Sequence, residues 1–239
     1  MITGGSSRLG QAFIRKALAE GAAVYFTYHR HAEDIQPLIA QGAEGFELDL
    51  ADMRAIEQFA KQIKEKTREV DVLIHNAAAV RDHTIQNMTE DDWDHVLTVD
   101  LKAPYFLTKQ LLPLLLRKKS EVAAGKARKV FMITSRVALQ GGFGVSNYAA
   151  AKAGLIGLAK SLAQELGRRK ILVNAVNPGF MPSRMTEALP EAVIARNLEA
   201  NPLGEYSNPE EVADFLVHLA SDQMQQVTGQ VLHWEGRGI

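Results

Sequence analysis

The chain contains no cysteine, almost no net charge and no long hydrophobic run. The absence of cysteine excludes disulfides, thiol catalysis and cysteine-ligated zinc, and we expect no metal centre. A formal net charge of −1 gives no electrostatic reason for nonspecific binding to nucleic acid. The most apolar stretch, 105–116, contains Lys109 and Pro113 and is too short to span a bilayer. Because no signal-like segment opens the chain, we expect a cytoplasmic protein without a membrane partner.

The order of apolar patterns predicts the fold class. Short strand-like runs alternate with amphipathic helical segments over the 239 residues, which favours a parallel sheet covered by helices on both faces. We therefore expect one domain, 1–239, with an α/β, Rossmann-like, doubly wound parallel sheet in three layers. Strands are predicted at 23–28, 45–48, 70–75, 130–135, 171–176 and 230–234. Helices are predicted at 11–19, 35–41, 53–67, 90–117, 145–167 and 209–220.

The strand that should precede the first helix is nearly missing. Only Met1, Ile2 and Thr3 come before a glycine-rich turn, whereas a nucleotide-binding βαβ unit has a strand of about 5 to 6 residues there. Such a strand lies in the middle of the sheet, so its loss would leave neighbouring backbone groups unpaired. We expect either a truncated or mis-started sequence or an unusually short first strand.

Tyr148 and Lys152 are the most informative pair in the chain. Residues four apart share one face of a helix, and a nearby ammonium favours phenolate, which lowers a phenol pKa that starts near ~10. This makes tyrosine a usable proton donor and acceptor. Ser135, thirteen residues upstream at the end of a strand-like run, could hold a substrate carbonyl beside them. A tyrosine and a lysine at this spacing are also common on an ordinary amphipathic helix.

A glycine-rich turn opens the chain directly before a helical pattern. Glycines at a helix N-terminus let backbone N–H groups approach a pyrophosphate, whose charge the helix dipole favours. Parallel strands place their carboxyl ends at one edge of the sheet, so the following loops meet the turn in one crevice. The turn supplies the candidate cofactor contacts Gly4, Ser6, Arg8, Leu9 and Gly10.

These motifs resemble the single-domain short-chain dehydrogenases/reductases over nearly the whole chain. The resemblance is greatest to the 3-oxoacyl-[acyl-carrier-protein] reductases, through the sequences NYAAAKAGLIG (147–157), NAVNPGF (174–180) and TGQ (228–230). It implies that Ser135, Tyr148 and Lys152 are catalytic. It also implies a nicotinamide cofactor along the turn and along Asp49, Leu50, Asn76, Ala77, Tyr148, Lys152, Pro178 and Gly179.

The chain departs from the family pattern at three further positions. Arg8 replaces the middle glycine of the cofactor turn, a substitution similar to that of pteridine reductases, although those enzymes place aspartate where this chain has Ser135. Asp100 occupies the position of a catalytic asparagine that supports a water-mediated proton relay to the lysine. A carboxylate could accept the same bonds while pairing with Lys152, or could impair the relay. Ala78 stands where the family has glycine.

The end of the predicted strand 23–28 indicates the form of the cofactor. NAD sites usually place a carboxylate there to bind the ribose 2′-OH, and this carboxylate repels a 2′-phosphate. The chain has His29 and Arg30 instead. Arg30 can donate two hydrogen bonds to a phosphate, and Arg8 could supply a second cation. We therefore expect NADPH (NADP+).

The resulting hypothesis is an NADPH-dependent reductase of carbonyl substrates such as 3-oxoacyl thioesters. A pteridine reductase and a catalytically weak nucleotide-binding homologue remain alternatives. Basic clusters at 117–119 and 168–170 lie where acyl-carrier reductases present cations to an acidic carrier protein, and basic helix ends are also common without such a partner. The resemblance further implies a homotetramer or homodimer.

Overall fold

The computed structural model describes residues 1–116, 126–187 and 189–234. The end of the predicted 90–117 helix and the basic cluster at 117–119 lie outside the described residues. Among the described residues, every helix is too short or too polar to span a lipid bilayer.

Parallel strands form the centre of the fold. The strands are β1 (Tyr25–Tyr28), β2 (Glu44–Glu47), β3 (Val72–His75), β4 (Arg128–Ile133), β5 (Ile171–Asn177) and β6 (Val231–His233). β1 pairs with β2, and β3, β4, β5 and β6 follow one another in that order. All pairings are parallel, as the alternation of strand and helix patterns predicts.

Ile2 joins these two groups of strands. It forms parallel bridges to Phe26 of β1 and to Ile74 of β3. Its N–H donates to the Tyr25 carbonyl at 3.0 Å, and its carbonyl accepts from the N–H of Thr27 at 3.0 Å. Ile2 therefore occupies the position expected for the first strand, and the sheet continues from β2 to β6 through it.

Helices cover the sheet, and most lie where the periodicity predicts them. The α-helices are α1 (Arg8–Ala19), α2 (Gln36–Ala40), α3 (Met53–Lys66), α4 (Glu90–Leu97), α5 (Ala103–Leu115), α6 (Val137–Gln140), α7 (Ser146–Leu166), α8 (Arg184–Glu187), α9 (Glu191–Glu199) and α10 (Pro209–Ala220). The predicted helix over 90–117 is confirmed as far as Leu115, and it contains a π-helical turn, Thr98–Lys102, between α4 and α5 that the sequence did not predict. The short helix α6 was not predicted from the sequence.

Two hydrophobic cores lie on opposite faces of the sheet. Successive side chains of a strand point to opposite faces, and in β4 Val130 and Met132 belong to one core while Phe131 and Ile133 belong to the other. The first core includes apolar residues of α3, α5 and α7, and the second includes those of α1, α2 and α10. This arrangement gives the three layers of a doubly wound α/β fold, as predicted.

Candidate active site

A groove of about 1620 Å³ runs along the edge of the sheet where the strands end. Most of the predicted site residues line it, although they are scattered in sequence. They are Gly4, Ser6, Arg8, Leu9, His29, Arg30, Asp49, Leu50, Asn76, Ala77, Ser135, Tyr148, Lys152, Pro178 and Gly179. Two predicted residues lie behind the lining: Gly10 packs beneath the glycine turn, and Asp100 contacts Lys152.

The glycine turn leaves its backbone open to the groove. Gly4 has φ of +68°, and a Cβ added there would lie 2.9 Å from the Cα of Ala77. A Cβ at Gly10 would lie 2.4 Å from the Gly4 carbonyl oxygen. The Ser7 hydroxyl caps α1 by accepting from the Gly10 N–H at 3.1 Å. The turn is therefore a tightly packed cradle that needs glycine at positions 4 and 10, and it lies at a helix N-terminus, which fits a pyrophosphate.

Asn76, at the end of β3, holds this turn in place. Its Nδ2 lies 3.0 Å from the Thr3 carbonyl, 3.1 Å from the Gly4 carbonyl and 3.0 Å from the Ser7 hydroxyl. The Thr3 hydroxyl in turn accepts from the N–H groups of Asn76 and Ala77, at 3.0 and 3.1 Å. The amide of Asn76 thus fixes the shape of the cradle. The supporting role of Thr3 was not predicted from the sequence.

The loops after β1 and β2 form the end of the groove farther from Tyr148. The Asp49 carboxylate accepts from the Ala51 N–H at 2.8 Å, and its other oxygen lies 3.9 Å from His29 Nε2. Arg8 forms an ion pair with Glu187 of α8. Arg30 is exposed and forms no ion pair with the described residues. Of the two cations predicted for this region, Arg30 is therefore the one without a carboxylate partner there.

The catalytic candidates meet at the start of α7. Tyr148 and Lys152 lie one turn apart, and Lys152 Nζ is 5.3 Å from the centroid of the Tyr148 ring. Lys152 is only 2% exposed. Its Nζ donates to the Ile133 carbonyl at 3.2 Å, and the Thr134 hydroxyl donates to its backbone carbonyl at 3.0 Å. The end of β4 therefore holds the lysine beside the tyrosine.

Asp100 faces Lys152 from the π-helical turn. It is fully buried, with one carboxylate oxygen 3.1 Å from Lys152 Nζ and the other accepting from the Ala79 N–H at 2.7 Å. Burial raises the pKa of the Asp100 carboxyl, against the lowering effect of Lys152. Burial alone would lower the pKa of Lys152, but the Asp100 carboxylate and the Tyr148 phenol outweigh it and raise that pKa. Because the pKa values of both groups are raised, the Asp100–Lys152 pair releases a proton less readily than either group would in water.

The pKa of Tyr148 differs from the sequence expectation. Burial raises this pKa, and Asp100 raises it further, while Lys152 and a hydrogen bond from Ser135 lower it. The net direction is upward. The expected influence of Lys152 is present, but the loss of solvent around the half-buried Tyr148 side chain is larger.

Three residues near this centre were missed by the sequence reasoning. Asn147 is fully buried, and its side chain joins the Arg81 carbonyl, at 2.8 Å, to the Tyr148 N–H, at 2.8 Å. Asp82 lines the groove, and burial raises its pKa. Arg136 lines the groove beside Ser135. The position of Asn147 directly before Tyr148 was an available signal, whereas Asp82 and Arg136 carry none in sequence.

Pro178 and Gly179 complete the wall after β5. Gly179 has φ of +82°, a conformation that glycine adopts at little cost. Its N–H donates to the Asn177 side chain at 3.2 Å. This tight turn keeps the backbone of Pro178 and Gly179 in the groove without a bulky side chain.

A long groove, a glycine-rich turn at a helix N-terminus and a tyrosine beside a buried lysine define an oxidoreductase of the Rossmann type. The family model described as enoyl-(acyl carrier protein) reductase matches residues 5–236. The 3-oxoacyl-[acyl-carrier-protein] reductase FabG of Thermotoga maritima is 36% identical over 242 residues, covering 99% of this chain and 95% of that protein. The Escherichia coli FabG is 34% identical, with coverage of 99% and 95%.

Solved structures agree with this assignment. A dehydrogenase/reductase from Sinorhizobium meliloti is 31% identical, with a TM-score of 0.86 and coverage of 98% of this chain and 92% of that one. A Pseudomonas aeruginosa RhlG/NADP active-site complex is 27% identical, with a TM-score of 0.88 and coverage of 98% and 94%. The chain belongs to the short-chain dehydrogenase/reductase family. It is therefore an oxidoreductase that acts on carbonyl or hydroxyl groups.

Proposed function

We propose that this protein is a single-domain, NADPH-dependent reductase of 3-oxoacyl thioesters, with Ser135, Tyr148, Lys152 and Asp100 as its catalytic residues. The observation that carries the proposal is the buried Lys152 ammonium, 5.3 Å from the Tyr148 ring, in the wall of the long groove. The names of the curated relatives, 3-oxoacyl-[acyl-carrier-protein] reductases, support this substrate class.

The groove residues fit a nicotinamide dinucleotide phosphate. The cradle between Gly4 and Gly10 would hold the pyrophosphate at the N-terminus of α1, where backbone N–H groups and the helix dipole favour an anion. Arg30 would bind the 2′-phosphate, because it has no carboxylate partner among the described residues and its planar guanidinium can donate two bonds to a phosphate. Pro178 and Gly179 would border the nicotinamide. The bound cofactor supplies a hydride equivalent for reduction.

Tyr148 is the proton donor of the proposed reaction. Its raised pKa keeps the phenol protonated at neutral pH, as a general acid requires. The Ser135 hydroxyl binds the substrate oxygen and orients it toward the phenol. When Tyr148 has given up its proton, the phenolate is stabilised by Lys152, whose charge Asp100 maintains at 3.1 Å.

We further propose that the enzyme is a homodimer or homotetramer that accepts its substrate on an acyl carrier protein. Helices α4, α5 and α7 surround an apolar depression of about 590 Å³, lined by residues that include Leu101, Tyr105 and Phe106. A surface of this kind suits the packing of a second copy. At the far end of α7, Arg168, Arg169 and Lys170 are exposed and suit an acidic carrier protein.

Removal of one hydroxyl tests the role of Tyr148. We expect Tyr148→Phe to lower turnover of an acetoacetyl thioester by at least about a hundredfold, since a positioned general acid contributes roughly 10²–10⁴-fold. Binding of NADPH, followed by fluorescence, should change little, because the ring remains. Retained turnover in this variant would refute the role.

The same assay compares substrates and cofactors. The wild-type protein is given the thioester free or on acyl carrier protein, or a dihydropterin, each with NADPH or NADH. Reduction of the thioester with NADPH is expected to be fastest. Faster reduction of the dihydropterin would overturn the substrate assignment, and a preference for NADH would overturn the role of Arg30.

A further inference from the structure

Arg136 directly follows Ser135 and lines the same groove. It stands at the start of α6 in helical conformation, with φ of −56° and ψ of −36°. Its Nε is fully buried and makes no hydrogen bond with the described residues. Buried donors in native proteins are normally paired, so this nitrogen calls for an acceptor.

Arg136 differs from the other described residues that have a buried side-chain atom without a hydrogen bond. Within the described ranges, two other buried side-chain atoms lack a hydrogen bond, Asp100 Oδ2 and Arg128 Nε. Asp100 Oδ2 lies 3.1 Å from Lys152 Nζ, and Arg128 Nε lies 3.6 Å from an oxygen of Asp71. These two atoms therefore have charged partners. Arg136 forms no ion pair with any described residue.

The other arginines of the groove are either paired or exposed. Three form ion pairs with carboxylates: Arg8 with Glu187, Arg81 with Asp91, and Arg184 with Asp34. Arg30 and Arg196 are exposed to solvent, which satisfies their donors. Arg136 alone among the described groove arginines combines a buried guanidinium nitrogen with the absence of a carboxylate.

The position of Arg136 in the groove indicates which ligand offers a hydrogen-bond acceptor to its guanidinium. The candidate phosphate contacts lie elsewhere, at the glycine turn and at Arg30 after β1. Arg136 follows β4 and comes directly after Ser135, the residue proposed to hold the reacting carbonyl. A guanidinium only donates hydrogen bonds, so the substrate must offer a second acceptor near the ketone.

A 3-oxoacyl group has such an acceptor. Its thioester carbonyl group is separated from the reacting ketone by a single carbon atom, and a 3-oxo acid carries a carboxylate at the same place. We propose that Arg136 binds this second oxygen, so that the enzyme selects 1,3-dicarbonyl substrates over simple ketones. This inference rests on the proposed function, because Ser135 and Tyr148 are taken to hold the ketone oxygen.

Three substrates distinguish binding of the second substrate oxygen by Arg136 from a general contribution of Arg136 to activity. The acetoacetyl thioester of N-acetylcysteamine has a neutral second oxygen, acetoacetate has a charged one, and pentan-2-one has none. We expect Arg136→Met to lower kcat/KM for the first two by roughly tenfold to a hundredfold, the range of a hydrogen bond from a charged donor. The rate with pentan-2-one should change less than about twofold, because no bond to Arg136 exists there.

Two further variants complete the kinetic test. Arg136→Lys keeps the charge and should recover part of the loss with the thioester and with acetoacetate. Arg54→Met makes the matched change at an exposed arginine of α3, outside the groove, and should leave all three rates unchanged. Equal losses on all three substrates in R136M, or no loss on any, would overturn the proposal.

A binding measurement keeps the inference separate from the proposed function. Acetoacetate and pentan-2-one are titrated into the NADPH complexes of Tyr148→Phe and of the double variant Tyr148→Phe/Arg136→Met, in which turnover does not consume the cofactor, and the quenching of NADPH fluorescence is followed. Weaker binding of acetoacetate alone supports the role of Arg136, and equal binding in both proteins refutes it. Failure of the wild type to oxidise NADPH with any carbonyl substrate would refute the proposed function, whatever the binding result.

Discussion

At the scale of single residues, Lys152 and Asp100 act on Tyr148 in opposite directions. Lys152 lowers the pKa of the phenol and Asp100 raises it. The two groups are 3.1 Å apart and both are buried, so little solvent screens either charge. The carboxylate therefore weakens the effect that the lysine has on the tyrosine.

We expect Asp100→Asn to lower the pKa of Tyr148, because it removes a buried negative charge near the phenol. Reduction needs the protonated phenol, so the alkaline fall of kcat should move to lower pH in this variant. The measurement is the pH profile of kcat with a saturating carbonyl substrate.

Asp82→Asn is the matched control for this shift. Asp82 also raises the pKa of Tyr148, but as the smallest of the recorded influences. Its removal should shift the profile in the same direction by a smaller amount. A profile that stays in place or moves upward in Asp100→Asn would contradict the assignment.

The same residues show which features of the site can be predicted from the sequence. The spacing of Tyr148 and Lys152 predicts a shared helix face, and the structure has them one turn apart. The net direction of the Tyr148 pKa was not predictable, because it depends on burial by segments distant in sequence. The unpaired state of Arg136 is likewise a property of its neighbours in space.

At the scale of elements, the π-helical turn is the main feature that the sequence does not predict. The apolar pattern of 90–117 is compatible with one helix, and nothing in it marks the extra residue of a π turn. The turn places Asp100 against Lys152 of α7. Packing between helices decides this detail, and local periodicity cannot report it. The bounds of α3 and α10, in contrast, follow from their caps, Asp52 and Asn208.

Alanine substitutions at Gly10 and Gly157 test the glycine turn, because they are expected to change the free energy of unfolding in opposite directions. We expect Gly10→Ala to lower the free energy of unfolding by about 1–3 kcal/mol, as overpacking does, since its Cβ would lie 2.4 Å from the Gly4 carbonyl oxygen. Binding of NADPH should weaken as the cradle shifts.

Gly157→Ala lies within α7, where nothing meets an added Cβ within 4 Å. It should raise the free energy of unfolding by about 0.5–1 kcal/mol, because alanine loses less conformational entropy in a helix. Urea unfolding and NADPH titration measure both variants. Equal stability of the two variants would show that the turn tolerates a side chain.

At the scale of the whole molecule, the sheet separates two apolar cores but also buries polar groups at its edge. His75, the last residue of β3, is 3% exposed, and its Nε2 lies 2.7 Å from the Thr108 hydroxyl of α5. That hydroxyl donates to the Pro104 carbonyl at 2.8 Å. His75 Nε2 therefore donates to Thr108, and the imidazole links the sheet to α5 in its neutral form.

Burial lowers the pKa of His75 from 6.5 to about 3, so the pH dependence of unfolding should report this histidine. Above pH 6.5 the imidazole is neutral in both states. Below it the unfolded chain takes up a proton that the folded protein refuses, and stability falls by up to about 1.4 kcal/mol per pH unit.

His75→Asn keeps a donor for Thr108 and removes the titration. Urea unfolding at pH 8, 6 and 5 should show the wild type losing stability relative to the variant as the pH falls through this range. Thr108→Val removes the hydrogen bond but keeps the histidine, so its pH dependence should follow that of the wild type. If wild type and His75→Asn lose stability in parallel, the imidazole does not contribute to the acid sensitivity of the fold.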